Sequence, residues 1–454
     1  MLPDHPLAIR RLLAQGPMTA REMAQKMAVS QPTVSRALLA MGDEVLRFGP
    51  YRSIQYALRR PLLDRVEIPV FRVSPTGQLT PLGQLAPVHP CGYVMRQDDG
   101  QTPLYSEGFP WWLDDMRPQG FLGRAFVAAQ AARLGLPPNL GDWQEAHVLR
   151  ALLSPGGSDT VGNLLLGEAA RERFLSQPPD EPIPARDLAV TYARRAAEAS
   201  RGDIGTSSAG GEQPKFTACA TTPDGARHVL VKYTLPVEPA APNPIAQRWA
   251  DLLLAEHLAA SALKAHGVAA VQTRIHDHQG QRFLEVERFD RVGPLGRLGL
   301  ISLAAMDAEF VGQGTGGWPG ITARLATLGH LQPGAHDHGC LLHAFGTLIG
   351  NTDMHPGNLS FVTDSGRPYA LAPAYDMLPM AFAPRSGGGL SEQLPPLDLH
   401  PGVAHEVWPA MLALARDYLG RLRADGRFSD NFAPCLQALA VHLDEAARRI
   451  DRLG

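Results

Sequence analysis

Cysteine is scarce in this chain: Cys91, Cys219, Cys340 and Cys435 are scattered through 454 residues, with no CxxC pair among them. That spacing argues against a disulfide framework or a paired-thiolate zinc site and fits a reducing cytosol. Also missing is any window of about 18 uncharged apolar residues, which a membrane helix needs. The N-terminal MLPDHPLAIRRLLAQG lacks the continuous apolar core of a signal peptide, so a soluble cytoplasmic protein with no membrane partner is expected. No HExxH appears, and no internal repeat or long low-complexity segment interrupts the chain.

Hydrophobic residues make up 44% and charged residues 19%, ordinary for a globular chain with a packed core. The length predicts about two to four folding units. A net charge of -3 divides unevenly: residues 1–60 carry nine Lys/Arg against four Asp/Glu, so a basic head precedes an acidic body. Such a head points to a polyanion.

The head has an order of its own. MTAREMAQKMAVSQPTVSRALLAM (18–41) reads as two short helices around a tight turn. Thr19 and Glu22 form a capping box, and Met23, Ala24 and Met27 supply an apolar face. Ser30 caps the second helix, Pro32 sits in its first turn, and Val34, Leu38 and Leu39 face inward. VLRFGPYRSIQYAL then reads as a hairpin, completing the order of a winged helix-turn-helix. In that geometry Gln31, Thr33, Ser35 and Arg36 face base edges, and Arg47 and Arg52 lie on the wing near phosphates. A dimerisation module is the competing reading.

From residue 61 a strand-like stretch, IPVFRVSPTGQLTPLGQLAPV, leads into a loop-rich region where Trp111 and Trp112 are assigned to packing. The proline-rich QPPDEPIPAR (177–186) reads as a linker before a helical DLAVTYARRAAEAS.

Chemistry concentrates after residue 200. GTSSAGGEQPKF (205–216) is a Gly-rich loop whose backbone N–H groups can approach an anion closely. HVLVKYTLP follows, a strand with Lys232 inside an apolar run, where a cation must snorkel or meet a charge. Protein kinases hold nucleotide phosphates with a Gly-rich loop and a strand lysine, oriented by a helical glutamate. Glu256, inside the helical RWADLLLAEHLAASAL, fits that last position.

Further on, HGCLLHAFGTLI reads as a buried helix ending at Gly350, followed by GNTDMHPGNLSF. Asp353 and Asn358 are five residues apart, as in the kinase catalytic loop, where one carboxylate reaches the acceptor hydroxyl and the Asn holds Mg²⁺. A hairpin, LSFVT to YALAPAYD, returns Asp376 beside the loop as the second Mg²⁺ ligand. His355 is read as support for the loop or the nucleotide. A transition-metal site on Asp353, His355 and a distant His has no matching spacing, and the HDH tripeptides at 276–278 and 336–338 are read as solvated loops.

These segments resemble the HipA-like serine/threonine protein kinases, the toxins of type II toxin–antitoxin systems. SSAGGEQPKF is similar to that family's phosphate loop, aligning Ser208, Gly211, Gln213 and Lys215, with Gly210 as an added glycine. FLEVERFDR resembles its V-E-R-F-D-R hinge strand, which implies backbone contacts to adenine near Glu287 and Phe289. The resemblance covers residue 61 to the C-terminus and is densest over 205–380. It further implies ATP and Mg²⁺ as cofactors and a protein-serine substrate, in known cases an aminoacyl-tRNA synthetase. It also implies autophosphorylation of Ser208, with Ser207 as the neighbouring alternative, that switches the enzyme off. In the usual operon the DNA-binding antitoxin is a separate protein, whereas the fused head here is similar to the YjjJ-type branch; antitoxin control and self-inhibition both stay open.

The expected architecture is therefore α+β, a HipA/protein-kinase-like two-lobed fold preceded by a winged helix-turn-helix. The expected divisions are 1–60 (DNA-binding head), 61–180 (HipA-like N-terminal subdomain), 181–291 (nucleotide-binding part) and 292–454 (helical lobe with the catalytic loop). Two rival functions are a transcription regulator whose kinase-like domain senses nucleotide, and a small-molecule phosphotransferase.

Overall fold

The computed structural model describes residues 4–50, 53–201, 213–238, 242–312, 317–385 and 387–452. Its elements form two compact units: Met1–Ser74 with Gln78–Pro118 and Ala131–Pro178, and Pro75–Gly77 with Gln119–Gln130 and Pro179–Gly454.

The first unit opens with α1 (His5–Leu13), β1 (Met18–Thr19), α2 (Ala20–Met27), α3 (Gln31–Met41), β2 (Val45–Phe48) and β3 (Gln55–Leu58), the strands ordered β1-β3-β2. The Thr19–Glu22 capping box forms as expected: the Glu22 N–H donates to Thr19 Oγ1 at 3.2 Å and the Thr19 N–H to Glu22 Oε2 at 2.7 Å. Ile9, Leu13, Met23, Val34, Leu38 and Met41 close a small core. Two details differ from expectation. Leu39 points outward at 83% exposure, and Ala37 and Met41 fill the inner face in its place. Ser30 occupies the N-cap position, but its hydroxyl pairs with the Thr33 hydroxyl at 2.9 Å and caps no backbone N–H.

Beyond the head come β4 (Ile68–Val73), β5 (Leu79–Val88), β6 (Gly92–Gln97), β7 (Leu104–Glu107), α4 (Gly120–Leu134), α5 (Glu145–Leu152), β8 (Leu164–Leu166) and α6 (Gly167–Ser176). The strands form an antiparallel sheet, β7-β6-β5-β4-β8. One face buries Ile68, Val70, Leu85 and Met95 against Leu113, Val148, Leu149 and Leu152, with Trp112 packed half-buried on them. The β2–β3 hairpin packs against this sheet: Leu46, Phe48 and Ala57 share a cluster with Ala86, Val88 and Val94, and Phe48 stacks on Tyr105 at 4.8 Å.

In the second unit α7 (Leu188–Arg201) precedes β9 (Lys215–Thr222), β10 (Gly225–Tyr233), α8 (Pro244–Ala265), β11 (Thr273–His278) and β12 (Gln281–Glu287). These strands make an antiparallel sheet ordered β11-β12-β10-β9. Tyr192 of α7 joins Val229, Val231, Tyr233 and Phe283 on one face; Leu253 of α8 joins Leu284 and Val286 on the other, with Leu230 against them. A short hairpin, β13 (Arg291–Val292) and β14 (Gly296–Arg297), then leads to β15 (Leu300–Ser302), α9 (Leu303–Phe310), α10 (Gly317–Thr327), α11 (Ala335–Ile349), β16 (Ser360–Val362), β17 (Ala370–Leu371), α12 (Val407–Ala424) and α13 (Ala433–Ile450). This part is mostly helical but carries its own sheet, β15-β16-β17. The HDH tripeptides are not loops. His276 lies on β11, 3.3 Å from Glu285, and His336 lies in α11 with Nδ1 2.9 Å from Thr322 Oγ1. No described helix is long and apolar enough to cross a membrane.

Candidate active site

The two-residue period of a strand decides where Lys232 goes. Val229, Val231 and Tyr233 of β10 face α7, so Leu230 and Lys232 face α8. Leu253 of α8 lies on that side, and Glu256, three residues on, shares its helix face. Lys232 Nζ donates to Glu256 Oε1 at 2.7 Å and Oε2 at 2.8 Å, and also to Asp376 Oδ1. Lys232 and Glu256 are only 5% and 4% exposed, so this ion pair is almost dry.

The catalytic-loop segment is set by how α11 ends. Gly350 takes a left-handed conformation (φ 75°), and the Asn351 N–H returns to the Gly346 carbonyl at 2.8 Å. Gly346 leaves room for the Met354 side chain, whose Sδ a Cβ there would displace. Asn358 donates its Nδ2 to the Asp353 carbonyl at 2.8 Å, closing the loop across the expected spacing. His355, exposed on the same loop, braces it: its Nδ1 accepts the Gly357 N–H at 3.0 Å, and its carbonyl accepts Trp318 Nε1–H at 3.0 Å. The loop is fastened to the hairpin by the Tyr375 hydroxyl, 2.7 Å from Ser360 Oγ and donating to the Gly357 carbonyl at 3.1 Å. Asp376 follows at φ 54°, a left-handed backbone that Asp tolerates better than most residues.

Three charges in contact, two of them dry, bias one another. Burial alone lowers the Lys232 pKa, but the carboxylates of Asp376 and Glu256 outweigh it and hold the ammonium well above its usual value. Burial raises Glu256 to about 7 against the pull of Lys232, with Asp376 adding to the rise. For Asp376 burial acts upward too, yet Lys232 and Lys215 prevail and hold it at about 2. The pair thus shares one excess negative charge, and Glu256 is the partner that gives it up. Asp353 is raised, first by burial and further by Asp376, with His355 opposing.

The remaining expected residues fall as follows. Lys215 opens β9 in register with Lys232. Gln213 donates Nε2 to the Tyr233 carbonyl at 2.6 Å. The Glu287 N–H donates to the Gln272 carbonyl at 2.8 Å, and the ring of Phe289 lies 6.0 Å from that of Tyr375. The neighbouring Asp290 accepts from Arg288 at 3.0 Å and Arg291 at 2.7 Å, locking the end of that strand. Ser207, Ser208, Gly210 and Gly211 lie outside the described residues, as does Arg52 of the wing. In the head Gln31, Ser35, Arg36 and Arg47 are exposed and Thr33 is half-buried.

Asn351 was missed by the sequence reading. It is 5% exposed, accepts the Asp353 N–H on Oδ1 at 3.1 Å, and points Nδ2 at the Asp376 carbonyl at 3.4 Å. Its signal was its place within GNTD, two residues before the acid.

The donors fit Mg²⁺. Asn358 spends its amide nitrogen on Asp353 and keeps its oxygen, Asp376 is a carboxylate, and two hard oxygens suffice for an ion that also takes phosphate and water. Among the described residues no three His, Cys, Asp or Glu side chains form a metal cage.

The site-bearing half defines the class: residues 207–413 match the family described as the HipA-like C-terminal domain. Residues 64–175 match the YjjJ-like toxin middle domain, and the chain is 39% identical over 444 residues to Toxin YjjJ of Escherichia coli (strain K12), 98% of either chain. The chain belongs to the YjjJ family of HipA-like toxins. Solved structures with a likeness include a Shewanella oneidensis MR-1 HipA in complex with HipB and operator DNA (TM-score 0.47, 14% identity, 80% of this chain and 96% of that one). A second is the Helicobacter pylori proinflammatory kinase CtkA (TM-score 0.37, 12% identity, 55% and 91%).

Proposed function

We propose that this chain is an ATP-dependent serine/threonine protein kinase that transfers the γ-phosphate to a protein serine, its own Ser208 among the acceptors. The reading is carried by Lys232, an ammonium buried to 5% exposure between Glu256 and Asp376. Holding those charges out of water costs several kcal/mol per ion and is hard to justify for packing alone. Lys232 then grips the nucleotide phosphates and Glu256 keeps it aimed. Asp353 takes the acceptor-hydroxyl proton, and its raised pKa makes it a stronger base than an ordinary carboxylate. Asn358 and Asp376 are the residues that would hold Mg²⁺, which neutralises phosphate charge when bound. Glu287 and Phe289 flank the adenine, and Gln213 and Lys215 follow the phosphate loop.

Radiolabelled ATP with the wild-type protein and Asp353→Ala, offered self and cell lysate, tests this reading. Asp353-dependent label in protein supports it. Nucleotide binding with no transfer reduces the protein to a sensor, and label only in small molecules makes it a different phosphotransferase. Mass spectrometry after incubation with ATP and Mg²⁺ tests Ser208: an unmodified 205–215 peptide overturns self-inhibition. The toxin name of the relative comes to this chain as the proposal that transfer arrests growth, with an aminoacyl-tRNA synthetase as the kind of target. Growth on expressing the wild type at the same rate as Asp353→Ala would refute that.

The head we read as a winged helix-turn-helix on DNA, supported by its element order, its basic charge and the exposure of Gln31, Ser35, Arg36 and Arg47. A gel shift on its own promoter that weakens steeply with salt is the expected result, and a concentration-dependent dimer without a shift would favour the dimerisation module.

A further inference from the structure

We infer that Asn351 is a positioning residue, a strut that sets the spacing between the loop bearing Asp353 and the loop bearing Asp376. The inference rests on the kinase reading above and deepens it. Asp353 lies on the loop after α11 and Asp376 on the hairpin that returns beside it, two separate segments of backbone. Something must hold the two backbones at working distance before metal and nucleotide arrive.

Asn351 touches both. Its oxygen accepts the Asp353 N–H at 3.1 Å, which fixes the amide orientation unambiguously, because only an oxygen can receive that proton. Its nitrogen is then turned to the Asp376 carbonyl at 3.4 Å, with Met377 Sδ at 3.9 Å sharing the donor. That carbonyl belongs to the residue with the left-handed backbone, so the bond bears on the conformation that aims the Asp376 carboxylate. Asn351 itself is anchored by its own N–H on Gly346, at the end of α11. The Asn351 side chain is itself buried, at 5% exposure, so its amide has these partners in place of water.

Two variants separate the two bonds. Asn351→Ser keeps a hydroxyl able to accept from the N–H two residues on, as serine does in tight turns, but cannot reach Asp376. Asn351→Ala loses both. Calorimetric titration of Mg²⁺ and a non-hydrolysable ATP analogue, the pH–rate profile and the thermal midpoint are measured on each full-length protein. The expected result for Asn351→Ser is a roughly tenfold higher Mg²⁺ requirement with the acid limb of the profile unmoved, the scale of one lost hydrogen bond. Asn351→Ala should show that rise together with a shifted acid limb and a lower kcat. An active wild type whose variants keep its Mg²⁺ requirement and acid limb, losing rate only as they lose folded protein, overturns the strut alone. A wild type that neither transfers phosphate nor binds the analogue with Mg²⁺ overturns the kinase reading and the strut with it.

Discussion

Lys232 meets two carboxylates, one more than its own charge balances, and this imbalance makes the site's charge changes unequal in their consequences. Removing the lysine, as in Lys232→Met, leaves the buried Glu256 without its counter-charge and should cost about 3 kcal/mol in chemical denaturation. Asp376→Asn should abolish transfer and cost less stability at neutral pH than Lys232→Met, because a balanced Lys232–Glu256 pair remains. The pH dependence follows from the same residues. Glu256, raised to about 7, contributes stability that is present at acid pH and lost as pH rises through about 7. Asp376, lowered to about 2, contributes stability present above its unfolded value and lost only as pH falls through about 2. Denaturation midpoints of the wild type should therefore decline from about pH 4.5 to about pH 7 and level off above it, and Asp376→Asn should flatten that decline; a wild type flat across that range would contradict the assignment. For activity the raised Asp353 matters: burial makes the base form disappear on acidification sooner than an ordinary carboxylate would, so the acid limb of the rate profile should lie above the usual carboxylate range.

At the scale of elements, the ends of helices make the sharpest predictions. Thr19 makes both bonds of its capping box, so Thr19→Ala should cost about 1 kcal/mol in a denaturation experiment. Ser30 caps no backbone group, and Ser30→Ala should fall well below that. Gly346→Ala should leave α11 helical by circular dichroism while transfer drops severalfold, because the added methyl displaces Met354 beside Asp353. These contrasts also show what was legible in the sequence. The end of α11 at Gly350, the closed turn from Asp353 to Asn358 and the hairpin to Asp376 were readable because glycine ends helices and short polar side chains at set spacings close loops. Lys232 and Glu256 were readable because an isolated buried charge demands a partner. Leu39 was not. It sits a hundred degrees around the helix from Leu38, and only the packing of α1 and α2 decides which faces the core. Nor was the Ser30–Thr33 pairing, where two hydroxyls compete for the same short-range bonds. Asn351 escaped because an amide bridging two loops leaves no periodic or spacing signature, only a position.

For the whole molecule, the head is joined to the rest of its unit by more than chain. Leu46, Phe48 and Ala57 share buried surface with Ala86, Val88 and Val94, and the Arg60 and His89 N–H groups bond across to Pro87 and Leu58. A fragment of residues 1–60 is therefore expected to melt well below the intact protein, and Phe48→Ala, which deletes a stacked ring from that shared core, should destabilise the β4–β8 sheet as well as the head by about 3–5 kcal/mol. Amide hydrogen exchange reads both at once: equal acceleration in β3 and β5 is expected, and acceleration confined to β3 would show the two parts to be uncoupled. This shared core also governs how the protein can be dismantled. A protease severing the chain near residue 60 would gain no free head and no tidy remainder, since each piece would expose apolar surface that the other had covered. The basic helices and the body behind them are thus made, kept and destroyed together, in a ratio of one to one.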